Sequence, residues 1–108
     1  MMNRREFCSV LGAAPLSLGF AGRASSEGGF AAKSYQNTRG QRMRYQLFMP
    51  KEYDSGRRYP LVLWLHGGAG RGSDNLKQIS GGNAIGSHVW TLPENQTGNP
   101  CFVVAPQC

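Results

Sequence analysis

From residue 30 onward the apolar positions first alternate with polar ones, then run together, then scatter. Met43, Tyr45, Leu47 and Met49 fall on one side of an extended chain, and Arg44, Gln46 and Phe48 on the other. That period of two predicts a half-exposed strand. The stretch from Phe30 to Tyr35 precedes it, across the turn-forming residues Gln36-Asn-Thr-Arg-Gly40, so the two predict an antiparallel hairpin ending at Pro50. A polar connection, Lys51 to Tyr59, leads to Pro60-Leu-Val-Leu-Trp-Leu-His66, whose five central residues are all apolar. A continuous apolar strand is what a sheet covered on both faces requires. The shortness of the run, its leading proline and the glycines after it favour strand over buried helix. A second such run, Cys101-Phe-Val-Val-Ala105, lies between Pro100 and Pro106.

About 35 residues separate the two runs, enough for a crossover helix joining parallel strands. Ser73 or Asp74 can cap that helix, with residues 75–79 as its first turns. Gly81, Gly82 and Gly86 predict that it is short or broken, and Thr91 to Pro100 reads as loop. Hairpin, strand, helix, strand is the opening of an α/β mixed sheet. Two strands covered on both faces need more helix than this, so the segment is not expected to be a stable domain by itself.

The 108 residues allow one domain at most. No run approaches the ~20 apolar residues of a membrane span, and the 15 glycines show no three-residue period, which excludes collagen. The formal charge is +6, but three of the arginines (Arg4, Arg5, Arg23) belong to the first 24 residues. The pairs Arg42/Arg44 and Arg57/Arg58 lack the interleaved aromatics of a nucleic-acid groove, so no nucleic-acid partner is expected.

Residues 1–24 have the layout of a removable signal peptide. A basic start is followed by the apolar stretch Val10 to Ala21 and by the small residues Gly22 and Ala24 before the cleavage point. Asn3-Arg4-Arg5-Glu6-Phe7 resembles a twin-arginine export signal, which implies export of a folded protein to the periplasm or beyond, without a stable membrane anchor. Residues 25–29 read as a flexible tether. Cys8 would leave with the leader. Cys101 and Cys108 flank an extended run that holds them roughly 23 Å apart at ~3.3 Å per residue, beyond the ~7 Å a disulfide tolerates. They are free thiols or have partners outside this chain. No zinc-type Cys/His spacing occurs, and neither metal nor cofactor is expected.

The densest chemical signal is His66-Gly-Gly-Ala-Gly-Arg-Gly-Ser73, which leaves the carboxyl end of the first apolar run, where open α/β sheets place ligands. A dinucleotide fingerprint begins at Gly68-Ala-Gly70 but meets Ser73 where its third glycine belongs. A P-loop lacks its lysine. The remaining reading is an oxyanion hole, in which backbone N–H groups receive the charge that builds on a carbonyl oxygen during acyl transfer.

Tyr45-Gln-Leu-Phe-Met-Pro50 and Tyr59-Pro-Leu-Val-Leu-Trp-Leu-His-Gly-Gly68, with Arg71-Gly-Ser-Asp-Asn75 and Val104-Ala-Pro-Gln-Cys108, resemble the N-terminal part of secreted α/β-hydrolase-fold esterases and peptidases. Polyhydroxybutyrate depolymerases, feruloyl esterases and prolyl-oligopeptidase-like enzymes are the groups it is most similar to. The resemblance spans residues 42–108 and implies that 30–108 is the N-terminal portion of such a domain. It implies that the N–H of Gly68, or of Gly67 or Ala69 beside it, faces the oxyanion, and that His66 orders the loop rather than acting as base. Arg71 reaches a substrate carboxylate or carbonyl, or pairs with Asp74; the pair is the commoner outcome. Ser73 and Asp74 read as capping residues, His88 as a surface residue, and Trp64 and Trp90 as packing. The family's nucleophile sits in G-x-S-x-G, and none of Ser55, Ser73, Ser80 or Ser87 does. The implied protein is a serine hydrolase of a carboxylic ester or peptide, with nucleophile, acid and base encoded beyond residue 108 and this portion inactive alone. The competing reading is a non-catalytic secreted binding module; two isolated histidines give a metallohydrolase little support.

Overall fold

Asn37 sets the first turn. Its Oδ1 accepts the N–H groups of Arg39 and Gln41, each at 2.9 Å, and its Nδ2 donates to Gln41 Oε1 at 2.8 Å. Gly40 closes the turn at φ 79°, a conformation that suits glycine. The turn joins β1 (Ala31–Gln36) to β2 (Arg42–Phe48) in an antiparallel pair with Ala31 opposite Leu47 and Gln36 opposite Arg42. The computed structural model describes residues 27–108; the leader and the first tether residues lie outside that range.

β3 (Leu61–Leu63) and β4 (Phe102–Gln107) complete a four-stranded mixed sheet of order β1-β2-β4-β3. β4 runs antiparallel to β2 and parallel to β3, the relation expected of two strands joined by a helical crossover. It continues through Pro106, where the sequence suggested a stop. Phe102 N donates to Pro60 O and Val104 O accepts from Trp64 N, so the even-numbered residues of β4 turn their polar groups toward β3. β3 ends at Leu63, and Pro106 therefore lies beyond the last N–H its neighbour needs.

Two apolar clusters occupy opposite faces. Phe30, Phe48, Ile79, Cys101, Val103 and Ala105, with Val62 and Trp64 against them, form one; Tyr45, Leu47 and Val104, with Tyr35 and Phe102, form the other. The half-exposed reading of β2 is thus corrected. Tyr45, Gln46, Leu47 and Phe48 are all buried, because β2 is an interior strand whose second half serves both clusters.

The strand after Pro60 departs further from expectation. Among the described residues it is an edge strand covered on one face: Leu61, Leu63 and Leu65 are 43, 58 and 66% exposed, while Val62 and Trp64 pack inward. The crossover packs on the inward face alone. Trp64 Nε1 donates to Gln78 O, and Gly86 is so close to the indole that a Cβ there would lie 2.1 Å from it.

The crossover is short and broken, as the glycines imply. It consists of single 3-10 turns at Lys77–Ile79 and Gly81–Asn83, helix α1 (Ala84–His88) and another turn at Val89–Thr91. The loop expected over 91–100 instead holds helix α2 (Pro93–Gly98), with proline in its first turn, Glu94 beside it and Thr97 Oγ1 donating to Pro93 O. Glu27–Gly29, read as tether, forms a turn with Gly28 against the His88 ring.

Candidate active site

Beyond β3 the chain runs extended to Gly67 (φ −77°, ψ 179°) and then makes one 3-10 turn, Gly68–Gly70. Gly70 N donates to Gly67 O at 2.9 Å and Arg71 N to Gly68 O at 3.3 Å. Gly67 N donates to Asn83 Oδ1 at 3.0 Å. The N–H groups of Gly68 and Ala69 open the turn, where a helical turn has no internal acceptor, and none among the described residues takes them. Both residues are exposed. Of the three amides expected to face an anion, two are available and that of Gly67 is committed to Asn83.

His66 is wedged into this turn. Its Nδ1 lies 2.7 Å from Gly67 O, and its Nε2 lies 3.3 Å from the N–H of Cys108. A carbonyl oxygen can only accept, and an amide N–H can only donate, so the neutral ring carries its proton on Nδ1 and a lone pair on Nε2. The ring packs over Gly70, where a Cβ would meet it at 2.5 Å.

The segment after the turn is fixed to the ends of β2 and β4 by amides. Gln107 Nε2 donates to Gly70 O (3.0 Å) and Asp74 Oδ1 (2.8 Å), and its Oε1 accepts Asn75 N at 2.5 Å. Asn75 sits at φ 57°, a left-handed conformation that Asn tolerates better than most residues. Its Nδ2 donates to Tyr45 O at 3.1 Å and its Oδ1 accepts from Gln78. Gln46 donates to Asn75 O, and Arg44 to Ser73 O.

Asp74 accepts Leu76 N at 3.0 Å and Lys77 N at 3.2 Å, but the expected helix over 75–79 does not form: the 3-10 turn there starts at Lys77, with Leu76 at its cap position. The Gln107 amide and these two N–H groups hold its carboxyl down at about 2, with the Lys77 charge adding to them. Ser73 does not share the capping, and the Arg71–Asp74 pair does not form. Arg71 is exposed, and no described acceptor holds its guanidinium.

His88 is likewise not a plain surface residue. Its Nε2 lies 2.9 Å from Ile79 O and its ring packs on Phe30, tying α1 to the core. Neither histidine hydrogen-bonds a serine among the described residues; Ser87 is buried and donates to Asn83 O and Ala84 O. Cys101 is a buried free thiol and Cys108 an exposed one. Among the described residues no three His, Cys, Asp or Glu side chains converge on a metal position, and no helix is long and apolar enough to cross a membrane.

The supporting residues that sequence reading missed are Asn83, 16 positions from the amide it holds, and Gln107, which joins three parts of the loop. Their only sequence signal is polarity inside otherwise buried segments. A groove of about 560 Å³, lined by Phe48, Pro50, Tyr59, Pro93, Gln96 and Thr97, lies at the opposite end of the sheet, near the start of β3 and β4. The glycine turn is at the carboxyl ends of those strands, where parallel sheets bind ligands.

Against solved structures, the chain is similar to a thermostable esterase, with 42% sequence identity over 74% of this chain and a TM-score of 0.67. It spans about a fifth (21%) of that esterase's length. No family model and no curated protein matches. Mixed sheet and likeness together are consistent with an esterase-type α/β fold.

Proposed function

We propose that this chain supplies the oxyanion-binding part of a serine hydrolase acting on carboxylic esters, whose nucleophile, acid and base are encoded beyond Cys108. The observation that carries this reading is the pair of exposed N–H groups on Gly68 and Ala69 at the carboxyl end of β3, which no described residue accepts. Such donors are preorganised. The turn is fixed by Asn83, His66 and Gln107 before any substrate arrives, so no reorganisation is needed as negative charge develops. Gly68 N–H is the principal donor, with Ala69 beside it. His66 holds the turn, and its ring nitrogens are both engaged in doing so. An ester is preferred to a peptide bond because the similar solved structure is an esterase. The leader is read as a twin-arginine signal removed after Ala24, which N-terminal sequencing of the exported protein tests.

Two experiments test the reading. A fluorophosphonate probe should leave the 108-residue chain unlabelled, since no described serine is joined to a base; labelling would contradict it. A chimera in which this chain's residues replace the matching segment of the thermostable esterase should hydrolyse esters. A folded but inert chimera would oppose the proposal.

A further inference from the structure

Arg71 follows the glycine turn directly, and its backbone is held from two sides. Its N–H donates to Gly68 O at 3.3 Å, and the carbonyl before it, Gly70 O, accepts Gln107 Nε2 at 3.0 Å. The residue is extended (φ −59°, ψ 144°), so its side chain starts from a fixed point on the turn that carries the Gly68 and Ala69 amides. The guanidinium is exposed, and no described acceptor takes it. Asp74, the acid closest in sequence, is bound within the loop. Its Oδ1 accepts Gln107 Nε2, Leu76 N and Lys77 N, and the charge acting on it is that of Lys77. Two further cations stand beside Arg71. The Lys77 ammonium lies against Gly72, where a Cβ would meet Nζ at 3.9 Å, and Arg44 donates to Ser73 O. Such a grouping attracts anions and raises their local concentration. A guanidinium adds geometry, because its planar fork pairs with a carboxylate through two parallel hydrogen bonds.

We infer that Arg71 sets the substrate class: the ester carries a carboxylate a few bonds from its scissile carbonyl, as the half-ester of a short dicarboxylic acid does. The scissile carbonyl oxygen meets the Gly68 and Ala69 amides while the far carboxylate pairs with the Arg71 guanidinium, and Lys77 adds to the field it enters. A neutral acyl chain of the same length leaves that guanidinium in water and gains nothing from it. The inference rests on the hydrolase reading of the same turn and adds to it which esters bind.

The test uses the esterase chimera and two methyl esters of similar length, monomethyl succinate and methyl pentanoate, with acid release followed at constant pH. The readout is the ratio of kcat/KM for the charged ester to that for the neutral one. In Arg71→Gln this ratio should fall about ten-fold or more, chiefly through KM, as expected when a charge-assisted hydrogen bond is lost. Arg71→Lys keeps a point charge without the fork, so its ratio should lie between the other two. Added salt should lower the ratio of the parent chimera more than that of Arg71→Gln. An unchanged ratio in Arg71→Gln, including an equal loss on both esters, overturns the inference while the hydrolase reading stands. A folded chimera inert on both esters overturns the two together.

Discussion

The ring of His66 and the α-carbon of Gly70 are so close that a Cβ at position 70 would lie 2.5 Å from the ring. The imidazole and the glycine are therefore one packing unit. The ring can bond the Gly67 carbonyl and the Cys108 amide only because position 70 has no side chain.

Gly70→Ala should consequently destabilise the fold by about 1–3 kcal/mol, the usual cost of overpacking a tight site. Gly70 does not have a positive φ, so the cost comes from the ring. A double variant, His66→Ala with Gly70→Ala, should be more stable than the sum of the single changes implies. Urea midpoints of the four proteins measure this coupling.

Asn83→Ala removes the acceptor for Gly67 N and the donor to Lys77 O at once. Leaving partly buried polar groups unpaired costs about 1–3 kcal/mol. Asn83→Asp keeps the acceptor and loses the donor, so it should cost less. Hydrogen exchange at the Gly67 amide should accelerate in the alanine variant far more than in the aspartate variant.

Asp74 gives the loop an acid-sensitive anchor. Its carboxyl titrates at about 2 in the folded chain rather than at its ordinary 3.8, held down chiefly by the Gln107 amide and the Leu76 and Lys77 N–H groups. A depressed carboxyl stabilises the fold fully above its ordinary value and loses that contribution as pH falls toward the folded value. Stability should therefore decline between about pH 4 and pH 2, with the amides of residues 74–77 losing exchange protection early. In Asp74→Asn, which still offers an oxygen to the caps, that part of the pH dependence should disappear.

The sheet was readable where each strand's pattern had one cause. Asn37 and Gly40 mark the hairpin turn, and alternation marks β2 as a strand. Alternation misjudged the burial of β2, since Leu47 and Phe48 meet two different clusters on opposite faces. The run Leu61 to Leu65 misled in the other direction. Its composition suits a strand covered twice, whereas the described residues cover only the side of Val62 and Trp64. Helix α2 was hidden because Pro93, Asn95 and Gly98 read as loop chemistry, although proline in a first helical turn is favourable. At the candidate site the glycines announced the turn, and nothing local could say which amides stay free. Asn83, far along the chain, decides that by taking Gly67.

The central claim concerns the Gly68 and Ala69 amides, and proline removes the Gly68 donor with little backbone disturbance. Gly67 is already extended at ψ 179°, as a residue before proline prefers, and a 3-10 φ is close to that of proline. The decisive measurement is ester hydrolysis by the esterase chimera carrying Gly68→Pro. Loss of an oxyanion donor should lower kcat by about 10²–10³-fold in the Gly68 variant, with KM and thermal stability nearly unchanged. Parental kcat in the folded variant would contradict the account.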